Sequence, residues 1–220
     1  MKKNILKTFI ILALGAGISG CGNSFLETNY YKGIDVETGL STVDNISTAL
    51  NGTYYDLFYY YFAGNYAINI GDIPTDISYW NGKTGHFDGI YTYTYTDTDT
   101  YLKAIWEYGY KTADNAARVI EASKALYENV AAEEKSELDR CMAEAYAQLM
   151  LVNVYAHQVK VNGTDHSSAP GIVLIDKPIE ALSQVSRSTV GQSYEAIVSD
   201  FNLAIMHFDA AGGDRQSLVF

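Results

Sequence analysis

Leu138-Asp139-Arg140-Cys141-Met142-Ala143-Glu144-Ala145-Tyr146-Ala147-Gln148-Leu149-Met150-Leu151-Val152-Asn153-Val154-Tyr155-Ala156 decides the fold class of this 220-residue chain. Leu138, Met142, Ala145, Leu149, Val152 and Ala156 fall on one stripe at helical spacing, and Cys141, Tyr146, Met150 and Val154 cover much of the remaining circumference. A helix that is apolar nearly all round belongs in an interior. The pattern therefore predicts a central helix over 133–159, with Asn162-Gly163 as its stop.

Working outward, three more amphipathic helices flank it. N-terminal to it, Ile105, Tyr108, Thr112, Ala116, Val119, Ser123 and Leu126 share a stripe that starts at a Thr100 or Asp99 cap and closes at Asn129. The acidic link Ala131-Ala132-Glu133-Glu134 suits the start of the central helix. Further upstream, Thr42 or Asp44 caps a helix carrying Ile46, Leu50, Tyr54, Leu57 and Tyr61, which is expected to end at Gly64-Asn65. Gly52 in its middle predicts a close helix contact, because glycine there costs about 1 kcal/mol against alanine. C-terminal to the central helix come a turn at Ser168-Ala169-Pro170-Gly171 and an extended run at Ile172-Val173-Leu174-Ile175. A last helix follows, capped by Ser188 or Thr189, with Gln192 placed to complete a capping box. Its buried stripe is Tyr194, Ile197, Val198, Phe201, Ala204, Ile205 and Phe208, and Gly212-Gly213 ends it. The fold class is all-α: helical hairpins joined by long, aromatic-rich loops.

The first twenty residues lie outside this fold. Lys2, Lys3 and Lys7 precede an apolar run from Phe9 to Ile18, then Ser19-Gly20 and Cys21. A positive start, an apolar middle and small residues before a cut form an export signal. The run is far short of the roughly 20 residues that span a bilayer. Residues 1–20 are thus expected to be a signal peptide, 21–40 a tether, and 41–220 the helical domain.

Composition narrows the function. Removing the three signal lysines, with no acid among residues 1–20, takes the formal net charge from −11 to −14. That excludes a nucleic-acid binder, which needs a basic patch. It also excludes adhesion to anionic lipid through surface charge. Cys141 is the single cysteine after Cys21, and its place in an apolar helical pattern makes it an inert packed thiol.

The 19 tyrosines are the unusual count. A phenol combines a flat apolar face with a polar tip, suited to wet helix interfaces or to stacking on rings. The stretch from Tyr66 to Thr100 loses helical period and is long for a structureless loop, which points to a functional one. Within it Tyr79-Trp80-Asn81 is the candidate ligand contact: an aromatic ring can cover the C–H face of a sugar while Asn81 reaches hydroxyls. The alternative is that Trp80 pins the loop to the core. Tyr91, Tyr93 and Tyr95 would share one face if Tyr91–Thr96 were a strand, extending that platform, though a loop fits as well. Tyr59-Tyr60-Tyr61-Phe62 reads as the wet end of a helix interface.

No metal or cofactor is expected. Asp97-Thr98-Asp99 begins like a calcium loop, but Leu102 and Tyr108 stand where glycine and an acid are needed. The four histidines at 86, 157, 166 and 207 make no close ligand pair. No phosphate-binding, dinucleotide or nucleophile-elbow glycine pattern occurs, and the abundant acids sit on solvated helix faces, so no catalytic residue is assigned.

Several pieces, in order, resemble the SusD/RagB family of outer-membrane nutrient-binding lipoproteins. They are Thr42-Val43-Asp44 with Ala49-Leu50-Asn51-Gly52-Thr53-Tyr54; Trp106-x-Tyr108 with Asn115-Ala116 and Val119-Ile120-Glu121; Glu144-Ala145-Tyr146-Ala147-Gln148-Leu149 through Tyr155; and Ser186-Arg187-Ser188-Thr189-Val190 with Tyr194, Ile197 and Asp200-Phe201. Ser19-Gly20-Cys21 resembles the lipobox of bacterial lipoproteins, and Phe25-Leu26 the family's first buried residues. The resemblance implies that Cys21 becomes the mature N-terminus, carrying a diacylglyceryl thioether and an acyl chain such as palmitate on its amino group. It implies tetratricopeptide-like hairpins and a non-enzymatic role at the cell outer membrane. There such proteins bind glycan and pass it to a TonB-dependent SusC-like transporter. A peptide-binding homologue, a shortened adaptor that keeps the transporter contact alone, and a surface hydrolase are the alternatives. Family members are much longer, so the resemblance covers their N-terminal part. Glu27 is the one acid close behind Cys21, which leaves outward against periplasmic orientation open.

Overall fold

The computed structural model describes residues 39–154, 160–161, 164–180 and 182–213. The expected signal peptide, Cys21, the expected tether as far as residue 38, the segment 155–159, the expected Asn162-Gly163 stop, residue 181 and the residues after 213 lie outside that set.

The described residues form six helices: α1 Val43–Leu57, α2 Tyr66–Asp72, α3 Asp88–Tyr91, α4 Thr100–Tyr127, α5 Ala132–Val154 and α6 Val190–Ala210. A two-residue antiparallel pair, β1 Lys160–Val161 with β2 Thr164–Asp165, follows α5. The helix starts follow the capping chemistry. Thr42 accepts from the Asn45 amide at α1. Asp99 accepts from the amides of Tyr101 and Leu102 at α4, which gives that carboxylate a structural task. At α6 the Thr189 hydroxyl accepts from the Gln192 amide at 3.1 Å while Gln192 accepts from the Thr189 amide at 2.9 Å, a complete capping box.

α5 is the centre. It packs against α6, α4 and α1, and Leu138, Cys141, Met142, Ala145 and Leu149 are buried in one cluster with Ile46 and Leu50 of α1 and Ala113, Ala116, Ala117, Val119 and Ile120 of α4. The many alanines on α4 let the helices approach closely. Two polar ties join them, the first with a buried carboxylate and the second partly exposed. Asp56 of α1 accepts from Lys111 at 2.7 Å and from Asn115 at 2.8 Å, both on α4. Arg140 of α5 reaches Glu137 and Glu144 on its own helix and donates to the Ser47 hydroxyl of α1 at 3.0 Å.

The segment 170–180 is extended, as the sequence indicates, and it is strapped down. The Tyr110 hydroxyl of α4 donates to the Val173 carbonyl and accepts from the Val173 amide, both at 3.0 Å. One turn on, Asp114 accepts from the Ile179 amide at 2.8 Å. At the other side, Arg187 donates to the carbonyls of Gly171 and Pro170, and Ser188 pairs with Ile172 through amide and hydroxyl. The Ser186-Arg187-Ser188-Thr189 stretch is thus a clasp for the turn at Pro170-Gly171. Gly171 is required there, because a Cβ would lie 2.6 Å from the Ser193 hydroxyl and 2.7 Å from the Thr189 carbonyl.

Four expectations are corrected. The stripe of α6 is only partly covered: Ala204 is buried, but Val198 is 58% and Phe201 49% exposed, because no element among the described residues packs over that side. α1 ends at Leu57, seven residues before Gly64, because the chain turns there and buries Phe62 against Leu57 and Ala67. Tyr59-Tyr60-Tyr61 consequently lies on a turn and not on the helix itself, with Tyr59 and Tyr61 meeting Tyr108 of α4 at the wet end of that interface. Gly52 marks no close contact; a Cβ there meets nothing within 4 Å. Tyr91–Thr96 is not a strand: α3 runs to Tyr91, and Tyr93 sits at φ 57°, in the left-handed region. Threonine–tyrosine alternation suits a sheet, but among the described residues no neighbouring strand accepts its ladder. Among the described residues no helix is long and apolar enough to cross a membrane.

Candidate functional site

Two concavities stand out. The larger, about 750 Å³, is a groove among α1, α5 and α6 walled by Tyr54, Phe201, Ile205 and Phe208 and floored by Ala143, Ala147 and Ala204. Its charged groups, Arg140 and Glu144, are bonded to each other at 2.6 Å. Burial, with the Glu144 carboxylate beside it, pushes the Tyr54 phenol up to about 12. Such a groove offers almost nothing to a hydroxyl-rich ligand.

The smaller recess, about 330 Å³, is lined by Ile73, Ser78, Tyr79, Trp80, Asn81, Thr84, His86 and Phe87. Three of the sequence candidates therefore meet in one place. Trp80 is fixed by donating its indole N–H to the His86 carbonyl at 2.9 Å and by leaning on Tyr91, ring centres 5.8 Å apart at 30°. Gly82, at φ 70°, folds the loop back over the indole; a Cβ on it would lie 3.3 Å from the ring. Asn81, itself exposed, accepts from the Lys83 amide at 3.0 Å, closing the turn. Tyr79 is 87% exposed. Both readings of Trp80 thus have a physical basis: the ring holds the loop, and part of its surface faces the recess.

Tyr91 backs Trp80 and does not line the recess. Tyr93 is separated from it, with its hydroxyl donating to the Pro74 carbonyl. Sequence reasoning missed His86, Thr84, Ser78 and Phe87. His86 Nδ1 lies 3.0 Å from the Tyr101 hydroxyl at the start of α4, a contact across fifteen residues that no local pattern signals. Phe87, at φ 59°, stacks on Tyr101 with centres 4.2 Å apart. Flat rings ringed by hydroxyl, amide and imidazole groups suit a neutral polyhydroxylated ligand. Among the described residues no group of three His, Cys, Asp or Glu is placed to hold a metal.

Comparisons with known proteins agree with this architecture. Two solved structures match with TM-scores of 0.63: a SusD superfamily protein from Bacteroides thetaiotaomicron VPI-5482, 24% identical over 76% of this chain, and one from Bacteroides vulgatus ATCC 8482, 17% identical over 75%. Each match takes in 37% of the solved chain, so this chain spans little more than a third of those relatives' length. No curated protein matches. The model of the SusD-like family described as "Starch-binding associating with outer membrane" matches residues 25–210, and with most of the chain inside that match, the protein belongs to this family.

Proposed function

We propose that this protein binds oligo- or polysaccharide at the outer membrane and passes it to a TonB-dependent SusC-like transporter, without cleaving it. The observation that carries the reading is the Trp80 recess: a partly exposed indole, immobilised by His86 and Tyr91, beside Tyr79, Asn81 and Thr84. Stacking on a sugar face needs a ring that does not have to be ordered on binding, and that condition is met before any ligand arrives. The family description supports the ligand class and the membrane. Attachment is through lipid on Cys21, where each buried methylene adds about 0.8 kcal/mol and two or more chains give a durable anchor.

The test is isothermal titration of the protein, cytoplasmically expressed from residue 22, against a panel of plant and host glycans. Trp80→Ala should cut affinity for whichever glycan binds by about tenfold or more while leaving the circular dichroism unchanged. Full affinity in Trp80→Ala at an unchanged melting point removes this recess as the ligand contact. For the anchor, wild-type protein in its native envelope should partition into detergent and Cys21→Ala should not.

A further inference from the structure

We propose that the turn between α1 and α2 carries a second carbohydrate-contacting surface, made by Tyr55, Tyr59, Tyr60 and Tyr61, which works with the Trp80 recess on one long chain. The inference rests on the glycan-binding reading above and names where a polymer extends beyond the recess.

The rings form a continuous track. Tyr59 stacks on Tyr108 with centres 4.7 Å apart and planes within 6°, and Tyr55 and Tyr61 lie 5.4 and 5.5 Å from Tyr59. Tyr60 and Tyr61 both meet Tyr66, at 5.1 and 5.2 Å. Tyr66 in turn meets Phe87 at 5.4 Å, and Phe87 lines the Trp80 recess. The turn and the recess are therefore linked through Tyr66 and the buried Phe87, which fixes their spacing.

The outer rings face water: Tyr55 is 67% exposed and Tyr60 53%. They are nevertheless held. Phe62 is buried beneath the turn, and the amides of Phe62, Ala63, Gly64 and Tyr66 donate to the carbonyls of Tyr59, Leu57, Tyr59 and Tyr60. Gly64 permits this packing, since a Cβ there would lie 2.2 Å from the Phe58 carbonyl oxygen. An ordered backbone that keeps several tyrosines in solvent is a pre-formed surface, not a loose loop.

The chemistry selects a neutral partner. The cation over these rings, Lys111 at 5.4 Å from the Tyr108 centre, is neutralised by Asp56 at 2.7 Å. What remains is flat apolar area edged with phenol hydroxyls, which fits pyranose rings of a polymer better than an ionic ligand or a greasy helix. Two weak contacts joined by one chain raise affinity for the long ligand above that for a short one.

The test uses affinity electrophoresis of the soluble full domain in gels containing soluble starch, alongside titration with maltotriose. Wild type should be retarded by starch and should bind maltotriose more weakly. Tyr60→Ala/Tyr61→Ala should lose about tenfold in starch affinity and keep maltotriose binding within about twofold, whereas Trp80→Ala should weaken both. Tyr55→Ala, a change to the best helix former at an exposed site on α1, serves as a second variant with the fold intact and should show a smaller loss of the same kind. Unchanged starch retardation in both tyrosine variants overturns the second surface while leaving the recess standing. A wild type that binds neither starch nor maltotriose overturns the second surface as a starch contact, and one that binds no glycan of the wider panel overturns the recess as well.

Discussion

His207 Nδ1 on α6 lies 2.7 Å from a carboxylate oxygen of Asp139 on α5, in a site where Asp139 is almost wholly buried. The other Asp139 oxygen accepts from the Tyr127 hydroxyl of α4, also at 2.7 Å, and the imidazole lies parallel to the Tyr146 ring, 5.9 Å away. One acid thus joins three helices. Removing the imidazole leaves a buried carboxylate short of a partner, which is costlier than losing an average hydrogen bond. His207→Ala is expected to lower stability by about 2–3 kcal/mol, read from urea denaturation.

Gly52 offers the opposite change. It sits inside α1, and a Cβ there meets nothing. Gly52→Ala should stabilise the protein by about 0.5–1 kcal/mol. A loss of stability would mean that residues outside the described set pack on this face.

At Gly171 a Cβ has nowhere to go. Gly171→Ala drives into the Ser193 hydroxyl and the Thr189 carbonyl, at the head of α6. A cost of about 2–3 kcal/mol is expected, visible as a lowered melting point. A melting point equal to wild type would show that the clasp made by Arg187 and Ser188 yields easily.

Asp200 sets a pH dependence. Burial pushes its carboxyl up to about 6, from an ordinary value near 3.8. Because the folded state holds the proton more tightly than the unfolded one, this group favours folding at low pH, and that advantage is lost as pH rises from about 4 through 6. Asp200→Asn should therefore stabilise the protein by about 1 kcal/mol at pH 7.5, the solvent-facing part of the side chain moderating the effect. The gain should vanish near pH 4. A gain that is equal at both pH values would place its origin elsewhere.

Cys141 should be chemically silent. Its side chain is fully buried, and burial pushes the thiol up to about 11. Native protein should leave a thiol reagent such as dithionitrobenzoate unreacted over an hour at pH 8, and react fully in guanidinium.

The long helices were legible because each carries its own signals. The stripe of α4 and the Thr189–Gln192 box are local facts, and α5 announces its central place by being apolar nearly all round; the stripe of α6 gave the helix but not its burial, since Ala204 alone of its seven members is buried. What escaped was non-local. Tyr61 continues the helical spacing of Ile46, Leu50, Tyr54 and Leu57, so nothing nearby shows that the chain turns at Leu57; the reason is Phe62, which finds its partners in Leu57, Ala67 and α4. Tyr91, Tyr93 and Tyr95 alternate like a strand, but alternation decides only where a neighbouring strand exists. At the recess the identities of Tyr79, Trp80 and Asn81 could be picked out as sugar-facing types. Their companions His86 and Phe87 could not, because Tyr101, which positions both, belongs to the next helix.

The double grip of Tyr110 on Val173 has an effect measurable by isotope exchange. The Val173 and Ile179 amides lie in neither helix nor sheet, yet each is donated to a side chain of α4. In heavy water they should trade their protons slowly, at a pace nearer that of helix amides than of free coil. The connection between the two halves of the bundle would then show up as a protected island in a stretch that any secondary-structure map leaves blank.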